Sequence, residues 1–114
     1  MYQHNNILVI PGMKGTDHID IGSIIRIEAT SNYSKIFFSN GKTMVVPKVL
    51  KQFEALLFHK GFARTHRSHL VNIACIRSLN TCHMKIILHN QEQVSISRRK
   101  RKMIRKQLSV QLAA

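Results

Sequence analysis

The dipeptide Asn40-Gly41, set between two apolar runs, is the feature that most constrains how this chain folds. The flanking runs, 35–39 and 43–46, are rich in Ile, Phe, Met and Val. Asn-Gly is the favoured pair for a type I′ turn, because both central residues of that turn need a positive φ. The sequence therefore predicts a β-hairpin over 35–46, and a hairpin in turn predicts an antiparallel sheet.

Shorter apolar runs on both sides of this hairpin predict further strands. They lie at 7–10, where Pro11-Gly12 ends the run, and at 24–29, 73–79, 84–88 and 94–96. In 24–29 the alternation predicts a strand with a buried face and a water-facing face. The buried face would carry Ile25, Ile27 and Ala29, and the water-facing one Arg26 and Glu28. The last two runs flank the polar segment 89–92, so a second hairpin is expected there.

One stretch, 47–60, has the spacing of a helix. Pro47 suits the first turn, where its missing N–H costs nothing, and Gly61 suits the position after the helix end. Between them the apolar residues recur on a single stripe: Val49, Leu50, Phe53, Leu56 and Leu57. A short basic C-terminal helix is predicted where the run 98–102 leads into Met103, Ile104 and Leu108. The fold predicted is mostly β with one principal α-helix.

Positive charge is concentrated in the second half of the chain. The formal net charge is +13, and residues 1–54 hold six Lys or Arg against four acids. Residues 55–114 hold twelve Lys or Arg against Glu92 alone. Such an excess opposes compaction by self-repulsion, so it indicates an anionic partner: nucleic acid, an anionic membrane or an acidic protein.

Length, cysteines and hydropathy narrow the class of protein. At 114 residues the chain is expected to be a single domain, 1–114, that needs no disulfide. Cys75 and Cys82 match neither zinc nor redox-pair spacing, so we expect two reduced, partly buried thiols. No apolar run reaches transmembrane length, and the N-terminus lacks the pattern of a signal peptide. A cytoplasmic location is therefore expected.

Three polar stretches, 32–35, 64–68 and 97–99, carry the residues best suited to binding. Each falls at a junction between predicted elements, where packed scaffolds place their contact residues. Arginine offers two parallel donors that fit guanine O6 and N7, and it also grips phosphate. Together with the charge, the three stretches favour nucleic-acid contact. The alternatives are a plain turn at 32–34 and a solvated charge run at 98–102.

Other chemistries have less support from the residues. His66 and His69 have no carboxylate or thiolate beside them in sequence, so no metal site is predicted. The five acids lie away from these histidines, and no glycine-rich phosphate loop follows a strand. The chain is predicted not to be an enzyme and to need no cofactor. Three alternatives stay open: a small basic RNA-binding protein, a His-dependent nuclease, and a peripheral membrane binder.

The order of these motifs resembles the LytTR family of bacterial DNA-binding domains. The matching features are the run 25–29, Asn32-Tyr33, the Asn-Gly hairpin and the short amphipathic helix. The block 62–72, Phe-Ala-Arg-Thr-His-Arg-Ser-His-Leu-Val-Asn, is similar to the most recognisable part of the family, and 94–99 is similar to its closing strand. The resemblance covers about 7–108. It implies an elongated domain of several antiparallel β-sheets with one principal helix.

The resemblance also implies a function and a set of contact residues. A LytTR-type domain is expected to bind double-stranded DNA as a transcriptional regulator, with loops entering successive major grooves. The positions that match base-contacting residues of the family are Ser34 (or its neighbour Tyr33), Arg67 and Arg98. Residues expected to contact the DNA backbone or to support the reading residues are Asn32, Tyr33, Lys35, His66, Ser68, Arg99 and Arg101.

Family members typically follow a phosphorylatable receiver domain, and this chain departs from that pattern. It is too short to include a receiver, so it is expected to be a stand-alone member or an excised domain. Met1 and the strand before Ile24 favour the stand-alone form. The expected partners are promoter DNA with direct or inverted repeats, a second copy on the DNA and an upstream regulatory protein. No membrane and no small-molecule substrate are expected.

Overall fold

The computed structural model describes residues 1–12, 14–80 and 82–113, with side chains up to Leu108. The strands are β1 (Tyr2–His4), β2 (Ile7–Gly12), β3 (Gly15–Asp20), β4 (Ile24–Thr30), β5 (Tyr33–Phe38), β6 (Thr43–Val46), β7 (Phe62–His66), β8 (His69–Asn72), β9 (Ile76–Asn80), β10 (Lys85–Leu88) and β11 (Gln93–Ser95). The helices are α1 (Leu50–Leu57) and α2 (Arg101–Ala113), and short 3-10 turns occupy Ile21–Ser23, Phe58–Lys60, Ile73–Cys75 and Arg98–Lys100.

The described strands form three antiparallel sheets. A central sheet of five strands has the order β6-β5-β4-β8-β7, and two sheets of three strands have the orders β1-β2-β3 and β11-β10-β9. The molecule measures 45 × 31 × 24 Å. The predicted elongated, mostly β architecture with two helices is confirmed. The basic C-terminal helix, which was predicted to be short, has 13 residues and is longer than α1, which has 8.

Two hydrophobic cores lie on the two faces of the central sheet. The first is formed with α1 and the β1–β3 sheet, and includes Leu8, Ile27, Ile36, Phe53 and Leu57. The second is formed with the β9–β11 sheet and α2, and includes Val71, Ile86, Leu88, Ile104 and Leu108. Each face of the central sheet is therefore covered by a hydrophobic core over part of its length.

The predicted facing of 24–29 is wrong at its start. The register with β5 shifts between Ile24 and Arg26, which inserts one extra residue. Ile24 therefore packs with Ile27 in the first core, whereas Ile25 packs against the second.

Arg26, predicted to face water, is largely covered. Its guanidinium carbon lies 3.7 Å from the centroid of the Phe37 ring, and Nη2 lies 2.8 Å from Glu92 Oε2. That hydrogen bond from Arg26 is the main reason why the pKa of Glu92 is lowered. Glu92 lies between β10 and β11, so the ion pair ties the central sheet to the β9–β11 sheet.

The hairpin around Asn40-Gly41 is confirmed, but its turn is not of the predicted type. Only Gly41 has a positive φ, of 86°. The Gly41 N–H donates to the carbonyl of Phe38, and the Phe38 N–H donates to the carbonyl of Lys42. The loop is thus longer than two residues, and glycine takes its left-handed position. The two-residue turn with both φ positive lies instead at Asn5-Asn6, between β1 and β2.

The principal helix is shorter than predicted. It begins at Leu50, because the preceding residue Val49 is extended, and Val49 is 44% exposed where burial was expected. The buried stripe is Leu50, Phe53 and Leu57. After the turn at Phe58–Lys60, Gly61 adopts a φ of 80°, as predicted for the residue that ends the helix.

The predicted strand over 73–79 is interrupted at its start. Ile73–Cys75 forms a 3-10 turn, and the strand begins at Ile76. The buried Asn72 side chain explains the turn, since it accepts from the Ala74 N–H and donates to the Ile24 carbonyl. Asn72 therefore has a role in the scaffold.

The two cysteines differ in exposure. Cys75 is half-buried, and burial raises the pKa of its thiol. Cys82 is exposed, where partial burial was predicted. Neither helix in the described part of the chain is long and apolar enough to cross a membrane.

Candidate nucleic-acid interface

The three polar stretches singled out from the sequence meet at one end of the central sheet. They are the β4–β5 turn, the β7–β8 turn and the segment between β11 and α2. The Ala29 N–H at the end of β4 donates to the Ser68 carbonyl at 2.9 Å, and the Ser97 N–H donates to the Thr65 carbonyl at 2.8 Å. Because strands alternate in direction, the β5–β6 turn lies at the opposite end. We call the end where the three stretches meet the basic edge.

The first stretch presents Tyr33 rather than Ser34. Ser34 is 0% exposed, and its Oγ donates to the carbonyl of Lys48 at 2.7 Å. A base contact by Ser34 is therefore incompatible with this conformation, since its side chain has no accessible surface. Tyr33, the neighbouring alternative, is 50% exposed, Asn32 is exposed and Lys35 is half-buried.

The second stretch is a tight turn that projects Arg67. His66 pairs with His69 across β7 and β8, which leaves Arg67 and Ser68 as the connecting residues. Arg67 is exposed. The backbone at Ser68 is held on both sides, because its N–H donates to His66 Nδ1 at 3.1 Å and its carbonyl accepts from Ala29. The turn is thus well ordered by hydrogen bonds.

Arg64, in the same stretch, faces inward. Its Nε donates to the His66 carbonyl at 3.0 Å, and Nη2 donates to the Arg67 carbonyl at 2.5 Å. Its Nη1 lies 2.8 Å from Oε1 of Glu54 on α1. All three nitrogens of the guanidinium are engaged within the protein.

The third stretch presents several cations. Arg98 and Arg99 are exposed in the 3-10 turn that precedes α2, and Arg101 is exposed in the first turn of the helix. Lys100 is half-buried. Burial lowers the pKa of Lys100, the Glu54 carboxylate opposes this shift, and the charges of Arg64 and Arg99 add to it.

A groove of about 350 Å³ joins the second and third stretches. It is lined by Arg64, His66, Arg67, Ser97, Arg99 and Lys100. Four of these side chains are Lys or Arg and none is acidic. The volume and the positive lining of the groove suit the binding of at least one phosphate group. Hydrogen-bond donors are present on both walls.

The two histidines of the second stretch lie next to each other. Their ring centroids are 5.4 Å apart, and His66 Nδ1 accepts a hydrogen bond, so its proton is assigned to Nε2. The pKa of His69 is lowered, mainly by burial, against the attraction of Glu28. The neighbouring groups that add to the lowering are His66, Arg26 and Lys85. Among the described residues no three His, Cys, Asp or Glu side chains are placed to share a metal ion.

Sequence reasoning did not select Glu54 or Lys100 as parts of this site. The spacing of Lys100 was a signal of its position in the sequence. Lys100 lies four residues before Ile104 and eight before Leu108, both of which are buried, so helical spacing places it on the same side as these two residues. Glu54 had no such signal, because its partner Arg64 lies on a different element and the pair forms only when α1 packs on the sheet.

Comparisons with known proteins agree with this architecture. The family model of the LytTr DNA-binding domain matches residues 14–109. A solved structure described as a LytTr DNA-binding domain from Bacillus cereus superposes with a TM-score of 0.76, over 92% of this chain and 98% of that one. The two sequences are 23% identical, so this likeness establishes the fold. No curated protein matches the chain.

Proposed function

The chain belongs to the LytTr DNA-binding domain family, and from this premise we propose that its basic edge reads a specific sequence in double-stranded DNA. Membership in the family makes it a DNA-binding transcription regulator. The observation that carries the finer proposal is the meeting of three sequence-distant polar stretches at one end of one sheet.

Arg67 and Arg98 are the residues that read bases. Both are exposed, and each sits in a short, hydrogen-bonded segment, so little ordering is needed when DNA binds. A bidentate arginine pairs with O6 and N7 of guanine in the major groove. The β4–β5 turn makes the third contact through Tyr33, because Ser34 is buried.

The other cations of the basic edge bind the DNA backbone. The groove between Arg67 and Lys100 takes a phosphate, with His66 Nε2–H and the guanidinium of Arg99 as donors. Further backbone contacts come from residues at the rims of the three stretches: Asn32, Lys35, Ser68 and Arg101. Such contacts fix the register of the protein on the duplex, and the arginines then select the sequence.

The proposal also covers the number of domains, the location and the partners of the protein. The described strands and helices act as a single DNA-binding domain in the cytoplasm. Loops from one edge enter successive major grooves, and two copies bind promoter repeats about one helical turn apart. Control of the activity by a second, upstream protein is part of the same proposal. The proposed mode of binding involves no catalysis, cofactor or small-molecule substrate.

Selection of bound duplexes from a random pool tests the proposal. We expect a defined recurring motif with guanines at the positions read by Arg67 and Arg98. In a competition assay, duplex DNA of the selected sequence should displace the probe better than RNA. The reason is that, among the described residues, Tyr33 is the only exposed Tyr or Phe on the basic edge, and readers of single-stranded RNA rely on exposed aromatic rings. An enriched pool without any shared motif would overturn sequence-specific reading.

A further inference from the structure

Glu54 is an acid beside the basic edge, and a negative charge is not expected next to a surface that binds DNA. Its carboxylate contacts Arg64, a wall of the cationic groove. A negative charge there repels phosphate and should weaken binding. Of the other acids, Asp17 and Asp20 lie on β3 and Glu92 contacts Arg26. Glu28 contacts Arg26 as well, and it lines a second groove near the basic edge with Tyr33 and Lys35.

Stability alone is a weak reason for the Glu54–Arg64 pair. The Arg64 side chain is mostly buried, but the Glu54 side chain is 35% exposed, and an ion pair with one partner near solvent contributes modestly to folding. The geometry of Arg64 is more telling. Its Nε donates to the carbonyl of His66, the last residue of β7, and its Nη2 donates to the carbonyl of Arg67, the first residue of the turn. The third nitrogen is held by Glu54, which sits on α1 beside the buried Phe53.

We infer that Glu54 and Arg64 form a positioning pair that orients the β7–β8 turn, so that Arg67 is presented to a base in the correct direction. The inference rests on the proposed function. Arg64 fixes two consecutive carbonyls of the turn, and Glu54 fixes the rotamer of Arg64 against the helix. A reading side chain held in place by its neighbours binds with less loss of conformational freedom.

The positioning role and simple electrostatics predict opposite changes in affinity for the selected site when the Glu54 carboxylate is removed. Removing the carboxylate by Glu54→Ala would strengthen binding to every duplex if only electrostatics mattered. The positioning role requires instead that affinity for the selected site falls while affinity for random duplex holds or rises. Asp17→Ala removes the same charge from exposed β3 and serves as the matched control.

The experiment measures the ratio of affinities for the selected site and for random duplex, on the same folded sample of each variant. Glu54→Ala and Arg64→Lys should each lower this ratio about tenfold, the discrimination of one arginine–base contact. The two together should lower it no further, because they disable one pair. Arg64→Lys keeps the net charge of the protein, so a fall in its affinity ratio cannot be caused by a change of net charge.

Selection from a random pool supplies a readout that a merely structural role would not move. With Glu54→Ala, preference should be lost at the base pairs that Arg67→Ala also affects and be retained at those read by Arg98. Equal strengthening of both duplexes, as in Asp17→Ala, would overturn the inference and leave the proposed function standing. If the unmodified protein showed no preference between the duplexes, the proposed function and the inference would both fall.

Discussion

The hydroxyl of Ser34 donates a hydrogen bond of 2.7 Å to the carbonyl of Lys48. This bond joins the first residues of β5 to the segment that leads into α1, and it lies at the basic edge. It occupies the side chain that the family resemblance assigns to base contact. The residue type is thus explained by the fold, and the DNA contact that we propose for this turn is made through Tyr33.

Ser34→Ala should therefore lower the stability of the protein and leave its DNA affinity intact. Loss of the donor leaves the Lys48 carbonyl without its partner, which costs about 1 kcal/mol in the free energy of unfolding. Urea unfolding measures that loss. Tyr33→Ala should show the reverse pattern, weaker binding to the selected site at unchanged stability, because its ring is half exposed. Weaker binding by a fully folded Ser34→Ala protein would restore Ser34 as a contact residue.

Arg67→Ala and Arg98→Ala should each cost about 1–3 kcal/mol in binding free energy on the selected site and relax its sequence preference. The reason is the loss of a bidentate donor pair. Arg77→Ala is the control, since Arg77 is exposed on β9 and bonds Gln91 in the β10–β11 turn, at the end of β11 away from the basic edge. Titration of labelled duplexes measures each affinity. An Arg67→Ala protein with unchanged affinity and preference would contradict the assignment.

Features encoded by local pattern were predictable from the sequence. The hairpin at Asn40-Gly41, the stripe on α1 and the glycine after its end depend on neighbours in the chain. The hairpin and the glycine are found, and the stripe is found without Val49. The exposed positions of Arg67 and Arg98 followed from polar stretches at the junctions of elements. Their meeting at one edge is a finding of the structure.

Features that depend on contacts between distant elements were not predictable. The burial of Ser34 requires the Lys48 carbonyl, and the inward turn of Arg64 requires Glu54. The extra residue in β4 is set by its pairing with β5, where alternation alone predicted that Ile25 would share a face with Ile27. In each case a polar group or a register was fixed by a partner that sequence spacing does not identify.

Stability should fall on acidification partly because of His69. Its pKa in the folded protein is lowered from 6.5, so the unfolded chain binds a proton more readily than the folded one. The contribution of neutral His69 to the free energy of unfolding is fully present above the pKa of His69 in the unfolded chain. It is lost as the pH falls below 6.5 and through the lower pKa of the folded protein. Urea unfolding between about pH 7.5 and about pH 5 measures the slope.

His69→Gln should flatten that slope. The exposed His59, on the 3-10 turn after α1, provides the control, and His59→Gln should leave the slope as it is. If His69→Gln and the unmodified protein lost stability in parallel over this range, the acid sensitivity would have to come from other groups.

Binding should depend steeply on salt, because the proposed interface neutralises phosphates with lysine and arginine. With roughly six phosphates neutralised, log affinity should fall with log salt concentration at a slope of about −5. Lys102→Ala, on the exposed first turn of α2, should weaken selected and random duplexes by the same factor and reduce the slope by about 1. Lys42→Ala removes the same charge from the β5–β6 turn at the opposite end of the sheet and should leave the slope unchanged. A slope near zero in the unmodified protein, or equal effects of the two lysine variants, would show that the basic edge does not hold the duplex by its charge.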